Sequence, residues 1–164
     1  MDPKRALEVL RRHEVRFVVI GAVAAIVQGY PLPTEDLDVT PARDPSNLGR
    51  LAEALRELDA QLRTATGSVP FPVDAQMLST ADSWTLTTDA GDLDLVFTPA
   101  GTRGYEDLIR DAVELDLGVP VLVASLRDVI RSKEAAGRPK DQVQLPALRA
   151  TLERIRELER EGDA

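Results

Sequence analysis

Asp36-Leu37-Asp38 and Asp92-Leu93-Asp94 set four carboxylates in two short stretches, "EDLDVT" and "GDLDLVFT". Along a strand, side chains alternate, so residues i and i+2 share a face. Asp36 and Asp38 are therefore expected to project together, with Leu37 and Val39 turned to the core. Asp92 and Asp94 likewise share one face, and Leu93, Leu95 and Phe97 the other. If the two strands are neighbours, three or four carboxylates converge on one patch. Such a patch raises carboxylate pKa values and costs stability unless a cation relieves it. Magnesium suits that place, because it prefers carboxylate oxygens and keeps positions for water and substrate phosphates. Two such ions about 4 Å apart can steady both the attacking and the leaving oxygen of a phosphoryl displacement. Glu35 falls on the other side of the pleat and is expected to be solvated.

The elements that would hold these residues can be read from punctuation and periodicity. Asp2 caps a first helix with Pro3 at its first position, ending near His13. "VRFVVI" (15–20) is a buried strand. Gly21 follows, and "AVAAIVQ" reads as a short apolar helix closed by Gly29. "EDLDVT" is a second strand. Asp44-Pro45 opens a helix with Leu48, Leu51, Leu55 and Leu58 at helical spacing. "SWTLTT", "DAG" and "DLDLVFT" read as a β-hairpin, with Trp84 as a core residue. "VELDL" and "VPVLVA" are two further short strands. Ser125 with Asp128 fits a capping box for a helix that ends at Gly137. A last helix is expected from about Pro146 to Glu161, since Pro146 would break or restart it. The fold class is α+β, a mixed sheet flanked by helices with a C-terminal helical segment. Residues 1–164 form a single domain: a core of sheet and helices over 1–124, with helices of 125–164 packed on it.

Composition excludes several classes. The 164 residues contain no cysteine, so there is no disulfide framework, thiol nucleophile or thiolate metal site. The longest apolar run, Phe17 to Val27, is too short to span a bilayer, and "MDPKRALEVL" lacks the apolar centre of a signal peptide. A cytoplasmic location and no membrane partner are expected. His13 is the single histidine, which rules out a histidine metal cluster; it reads as a partner of a helix C-terminus. The net charge of −8 argues against broad nucleic-acid binding, whose affinity comes from Lys and Arg on phosphates. Arg127, Arg131, Lys133, Arg138 and Lys140 could still form a local basic face for one triphosphate or one RNA end.

The order strand, glycine, short helix, glycine, then T-x-D-x-D resembles the nucleotidyltransferase superfamily, the polymerase-β-like fold. The likeness is closest to small bacterial proteins related to the AbiEii and MenT toxins of toxin–antitoxin systems. It is carried by "VVIGAVAAIVQGYPLPTEDLDV", "GDLDLVF" and "VIRSKEAAGRPKDQ", and runs from about Val15 to Leu145. The resemblance implies that Asp36, Asp38 and Asp94 bind Mg²⁺ or Mn²⁺, Asp94 also helping to activate the acceptor hydroxyl. It implies nucleotide contacts at Gly21, Ala22, Thr34, Arg138 and Asp141. Lys133 would be both a catalytic residue and a charge partner for phosphate oxygens. The implied reaction transfers a nucleoside monophosphate from an NTP to a hydroxyl of an RNA, a protein or another acceptor. A toxin role, with a cognate antitoxin as partner, is part of the same implication.

The chain also departs from the pattern. Ala22 stands where the family has Ser or Gly, Leu32 where it often has Arg, and Gln144 where a second Asp is common. These changes leave the three aspartates whole and thin the nucleotide clamp. They favour a rival reading: a catalytically impaired binding or regulatory protein on the same fold. Two other motifs fail. A dinucleotide fingerprint would need glycines where Val23 and Ile26 stand, and the D-x-D-x-T of haloacid dehalogenases should end an apolar strand, whereas "PLPTE" precedes it here.

Overall fold

The computed structural model describes residues 2–29 and 36–163. Helix α1 (Pro3–Arg12) is capped by Asp2, whose carboxylate accepts the Arg5 N–H at 3.1 Å. It leads into β1 (Phe17–Ile20), α2 (Gly21–Val27), β2 (Leu37–Pro41) and α3 (Pro45–Glu57). Asp44 caps α3 by accepting the Asn47 N–H at 3.1 Å. There follow β3 (Gln61–Thr64), β4 (Gly67–Val69), α4 (Ala75–Leu78), β5 (Ser83–Thr88), β6 (Gly91–Val96) and α5 (Tyr105–Leu108). The chain closes with β7 (Val113–Asp116), β8 (Pro120–Val123), α6 (Leu126–Ala136) and α7 (Pro139–Gly162). No helix among the described residues is long and apolar enough to cross a membrane.

The strands form one mixed sheet in the order β4-β3-β5-β6-β2-β1-β8-β7. The β2–β6 and β1–β8 pairs are parallel and the others antiparallel. The expected α+β class with a helical C-terminal segment is what the chain adopts. Register does the positioning. Leu37 pairs Leu93, Asp38 pairs Asp94 and Val39 pairs Leu95, so the apolar residues of both strands share one face and the carboxylates the other. Leu37, Val39, Leu93 and Leu95 are all at most 1% exposed. A one-residue slip would drive the aspartates into that core, which fixes the register strongly. Each of the four buried side chains contributes about 1.5–3 kcal/mol.

Several elements differ from their sequence-based expectation, and the short helices α4 and α5 were not foreseen. Strand β2 begins at Leu37, so Asp36 sits one residue ahead of the ladder. The β3–β4 hairpin was not foreseen, because "QLRTATGSV" is polar and partly exposed and lacks a period-2 apolar signal. Helix α7 runs unbroken through Pro146. Proline removes the bond to the residue-142 carbonyl, but Gln142 and Pro146 are both exposed, so water can take that carbonyl. Leu145 (6% exposed) and Leu148 (fully buried) hold this helix to the core on either side of the proline. Trp84 packs on Phe71 at 5.4 Å between ring centroids, and its indole N–H donates to the Leu78 carbonyl at 3.3 Å.

Candidate active site

The face that carries Asp38 and Asp94 can be followed across the sheet. Directly paired residues on adjacent strands share a face, so Ile20, which pairs Asp38, lies on one flank of the carboxylates. Thr85, which pairs Asp94, and Thr87, which pairs Asp92, lie on the other. Arg63 on β3 reaches the same flank. Its Nη2 donates to Asp94 Oδ1 at 2.6 Å, and its Nη1 lies 2.9 Å from Asp92 Oδ2. A third contact, Nη1 to the Leu86 carbonyl at 3.1 Å, ties the guanidinium to β5. Sequence reasoning missed Arg63 because its strand was missed; a lone arginine in a polar stretch carries no signal of its own.

Burial raises the pKa of Asp38 to about 6, and the neighbouring Asp94 and Asp36 carboxylates add to the rise, Lys133 opposing it. The Asp94 pKa is also raised by burial, with Arg63 working against the shift. Asp38 thus holds a proton well above the usual carboxylate range. A site that retains protons because its negative charges are crowded and dehydrated is one that a hard divalent cation can relieve. The oxygen donors fit magnesium in chemistry. Among the described residues no group of three or more carboxylates is already arranged to hold a metal ion, and Arg63 is engaged with two of the relevant carboxylates.

Gly21 follows β1 directly and has φ +72°, a conformation that favours glycine. A Cβ there would run into Asp38 Oδ2. Backbone and carboxylate are therefore in close approach only because residue 21 has no side chain. The first residues of α2 have no side-chain cap, so their N–H groups are not consumed by one. Gly21→Ala is expected to cost about 1–2 kcal/mol from left-handed strain alone, plus the displacement of Asp38. The check is a fall of several degrees in melting temperature together with lost nucleotide binding.

On the Ile20 flank a cavity of about 90 Å³ opens between the end of β1, α5 and α6. Lys133 and Arg138 line it. Lys133 is 15% exposed in its side chain, and burial lowers its pKa, with Asp141 opposing. Its Nζ donates to Gln144 Oε1 at 2.8 Å and lies 3.6 Å from Asp141 Oδ1. Gln144, a departure from the family pattern, thus serves as the lysine's partner. Asp141 is fully buried. It accepts the Arg138 N–H at 3.2 Å and the guanidinium at 2.7 and 3.2 Å. Burial alone would raise its pKa, but these Arg138 contacts hold it below the usual range. Asp141 positions Lys133 and Arg138 and does not itself line the cavity. Arg131 does not line the cavity; it pairs with Asp107 (3.2 Å) and with Asp128 (3.1 Å), which does. The structure thus brings Gly21, Asp38, Asp94, Lys133, Arg138 and Asp141 to one region, with Asp36 at its edge. Thr34, expected near a phosphate, and Leu32 lie outside the described residues.

No protein-family model matches the chain, and no curated protein matches it in sequence. Solved structures do match its fold. The lincosamide antibiotic adenylyltransferase LnuA, in its lincomycin-bound form, is similar at a TM-score of 0.61 and 10% identity over 92% of this chain and 98% of that one. ANT(2″)-Ia in complex with adenylyl-2″-tobramycin is similar at a TM-score of 0.56 and 15% identity, over 97% of this chain and 95% of that one. The candidate nucleotidyltransferase TM1012 from Thermotoga maritima is similar at a TM-score of 0.52 and 19% identity, over 89% and 93%. The chain has the nucleotidyltransferase fold.

Proposed function

We propose that this protein is a metal-dependent nucleotidyltransferase, moving a nucleoside monophosphate from an NTP to a hydroxyl acceptor. The observation that carries the reading is the pairing of Asp38 with Asp94 across β2 and β6, with Gly21 pressed against Asp38 and Lys133 on the adjoining cavity. The likeness to LnuA and ANT(2″)-Ia supports it. Asp38, Asp94 and Asp36 would hold Mg²⁺ or Mn²⁺. Bound there, the cations supply Lewis-acid activation at the α-phosphorus and neutralise the leaving pyrophosphate.

The chain's own residues do the rest. The acceptor oxygen attacks the α-phosphorus, the bond from that phosphorus to the bridging oxygen of the β-phosphate breaks, and pyrophosphate leaves. Asp94, its pKa raised by burial, is placed to take the hydroxyl proton; a base nearer neutrality does this better. Lys133, oriented by Asp141 and Gln144, balances charge on the phosphate oxygens. Arg138 adds a second cation there. The acceptor approaches from the side of β5 and β3, where Thr85, Thr87 and Arg63 lie. In its finer form the reading is that of an AbiEii- or MenT-like cytoplasmic toxin with an RNA or protein acceptor and a cognate antitoxin, residues 1–164 acting as one domain whose helices after residue 125 complete the nucleotide side.

The non-catalytic reading is favoured by one observation: Arg63 spans Asp92 and Asp94 as a structural ion pair would. Incubation with α-labelled NTPs, magnesium and pooled RNA, protein and small hydroxylated acceptors separates the two. Labelled acceptor is expected with the native chain and none with Asp38→Asn. No transfer to any acceptor, together with no nucleotide-induced rise in melting temperature, would sink the enzyme reading.

A further inference from the structure

Helix α7 outlasts the core it packs on. It has 24 residues, about 36 Å of rise, and its last buried side chain is Leu148. Residues 149–162 carry it about 21 Å further, and of their larger apolar side chains Leu152 and Ile155 pack partly on the core. A helical segment of this length is marginal unless its apolar face is covered. Leu158 is 50% exposed. It lines a shallow groove of about 430 Å³ together with Gly29, Thr151, Arg154 and Ile155. The Thr151 hydroxyl donates to the Ala147 carbonyl at 2.9 Å, which leaves its methyl turned toward Gly29. Knob and groove thus lie on one patch, which is what an isologous two-fold contact requires.

Charge along the helix says what fits there. Residues 149–156 carry Arg149, Arg154 and Arg156 against Glu153, and residues 157–163 carry Glu157, Glu159, Glu161 and Asp163 against Arg160. Carboxylates in the last turns oppose the helix dipole, so the pattern does not serve the isolated helix. A second copy running antiparallel sets the basic half of each helix against the acidic half of the other, whereas a parallel copy would oppose like to like. With the two-fold axis near residues 154 and 155, Leu158 of each copy sits over Thr151 of the other and Ile155 meets Ile155. Arg154 then lies within about 3 Å of rise of Glu157 of the partner. Arg154 already holds Glu157 of its own chain at 3.4 Å, so the two copies close a ring of alternating charges. We infer that the outer half of α7 is a self-association surface whose occupant is a second, antiparallel copy of this chain. Burial of Leu158 and Ile155 drives it. The charges set its direction, since exposed ion pairs alone contribute little.

Sedimentation equilibrium of the full chain, without metal or nucleotide, tests this. The mass is expected to pass from monomer to dimer over roughly 1–100 μM, the weak range of a small interface. Leu158→Glu is expected to abolish the dimer across that range. Arg154→Glu gathers four carboxylates around the axis, and Glu157→Arg gathers four arginines. Each is expected to weaken association about tenfold or more, because every substitution enters a two-fold contact twice. The double variant Arg154→Glu/Glu157→Arg restores the alternation and is expected to regain most of the lost association. A native chain that stays monomeric throughout overturns the inference and leaves the face to a different partner. A dimer that neither single charge reversal weakens also overturns it, since a parallel copy or another face would then be the contact. The native measurement needs no variant, and both reversals fall on side chains that solvent reaches, so misfolding does not shield the inference.

Discussion

Asp38→Asn is expected to stabilise the metal-free protein near neutral pH and to remove the proposed transferase activity. Two separate causes act at one atom group. Folding raises the Asp38 pKa from 3.8 to about 6, so protonation favours the folded state. The stability tied to that proton is fully present below the unfolded value of 3.8 and is lost as pH rises through about 6. Near neutral pH the loss is about 3 kcal/mol at 1.36 kcal/mol per pKa unit. A neutral asparagine of the same shape escapes it, with a gain of roughly 5–10 °C in melting temperature for a chain of this size. That gain fades as pH falls from neutrality toward 4. Magnesium with nucleotide raises the melting temperature of the native chain and not of the variant. Transfer falls by about 10³-fold or more, the scale lost when charge stabilisation is removed at a reacting centre. Thermal melts across pH, with and without magnesium and NTP, check all of it. A variant no more stable than the native chain at neutral pH refutes the account of Asp38, and one that keeps its activity refutes the site.

The fold tolerates so costly a residue because the same register buries Leu37, Val39, Leu93 and Leu95, which together outweigh the aspartate's desolvation. This also explains what could be read in advance. Two apolar-acidic alternations fix which face each residue takes, so the convergence of Asp38 and Asp94 was legible once the strands were assumed to be neighbours. Caps at Asp2 and Asp44 and the hairpin turn at Asp89-Ala90 were legible because single residues carry them. The β3–β4 hairpin was not, since an edge element of mixed polarity follows its partners more than its own sequence. Arg63 was lost with it. The fate of Asp128 was hidden for a different reason: S-x-x-D predicts a reciprocal cap, and only packing shows that the carboxylate turns to Arg131 instead. Pro146 misled because Gln142 and Pro146 both lie on the exposed side of α7, where water can take the carbonyl that proline frees.

Arg63→Met is expected to tighten binding of a divalent cation while weakening the metal-free fold. In the native chain the guanidinium is the counter-charge of Asp94 and Asp92, at 2.6 and 2.9 Å. A cation that reaches Asp94 must share it with, or displace, Arg63. Without the arginine the carboxylates repel one another unscreened, and about 1–3 kcal/mol of charge-assisted hydrogen bonding is lost, a fall of several degrees in chelator. The fall is deeper at mildly alkaline than at mildly acidic pH, because burial raises the Asp38 and Asp94 pKa values and protonation below them softens the repulsion. Manganese then recovers more stability in the variant than in the native chain, and its dissociation constant without nucleotide drops about tenfold, worth about 1.4 kcal/mol. These readouts need no turnover. Manganese binding that is unchanged or weaker in Arg63→Met would mean that the cation does not use Asp94, and the guanidinium would then be a structural clasp of β3 to β6 and nothing more.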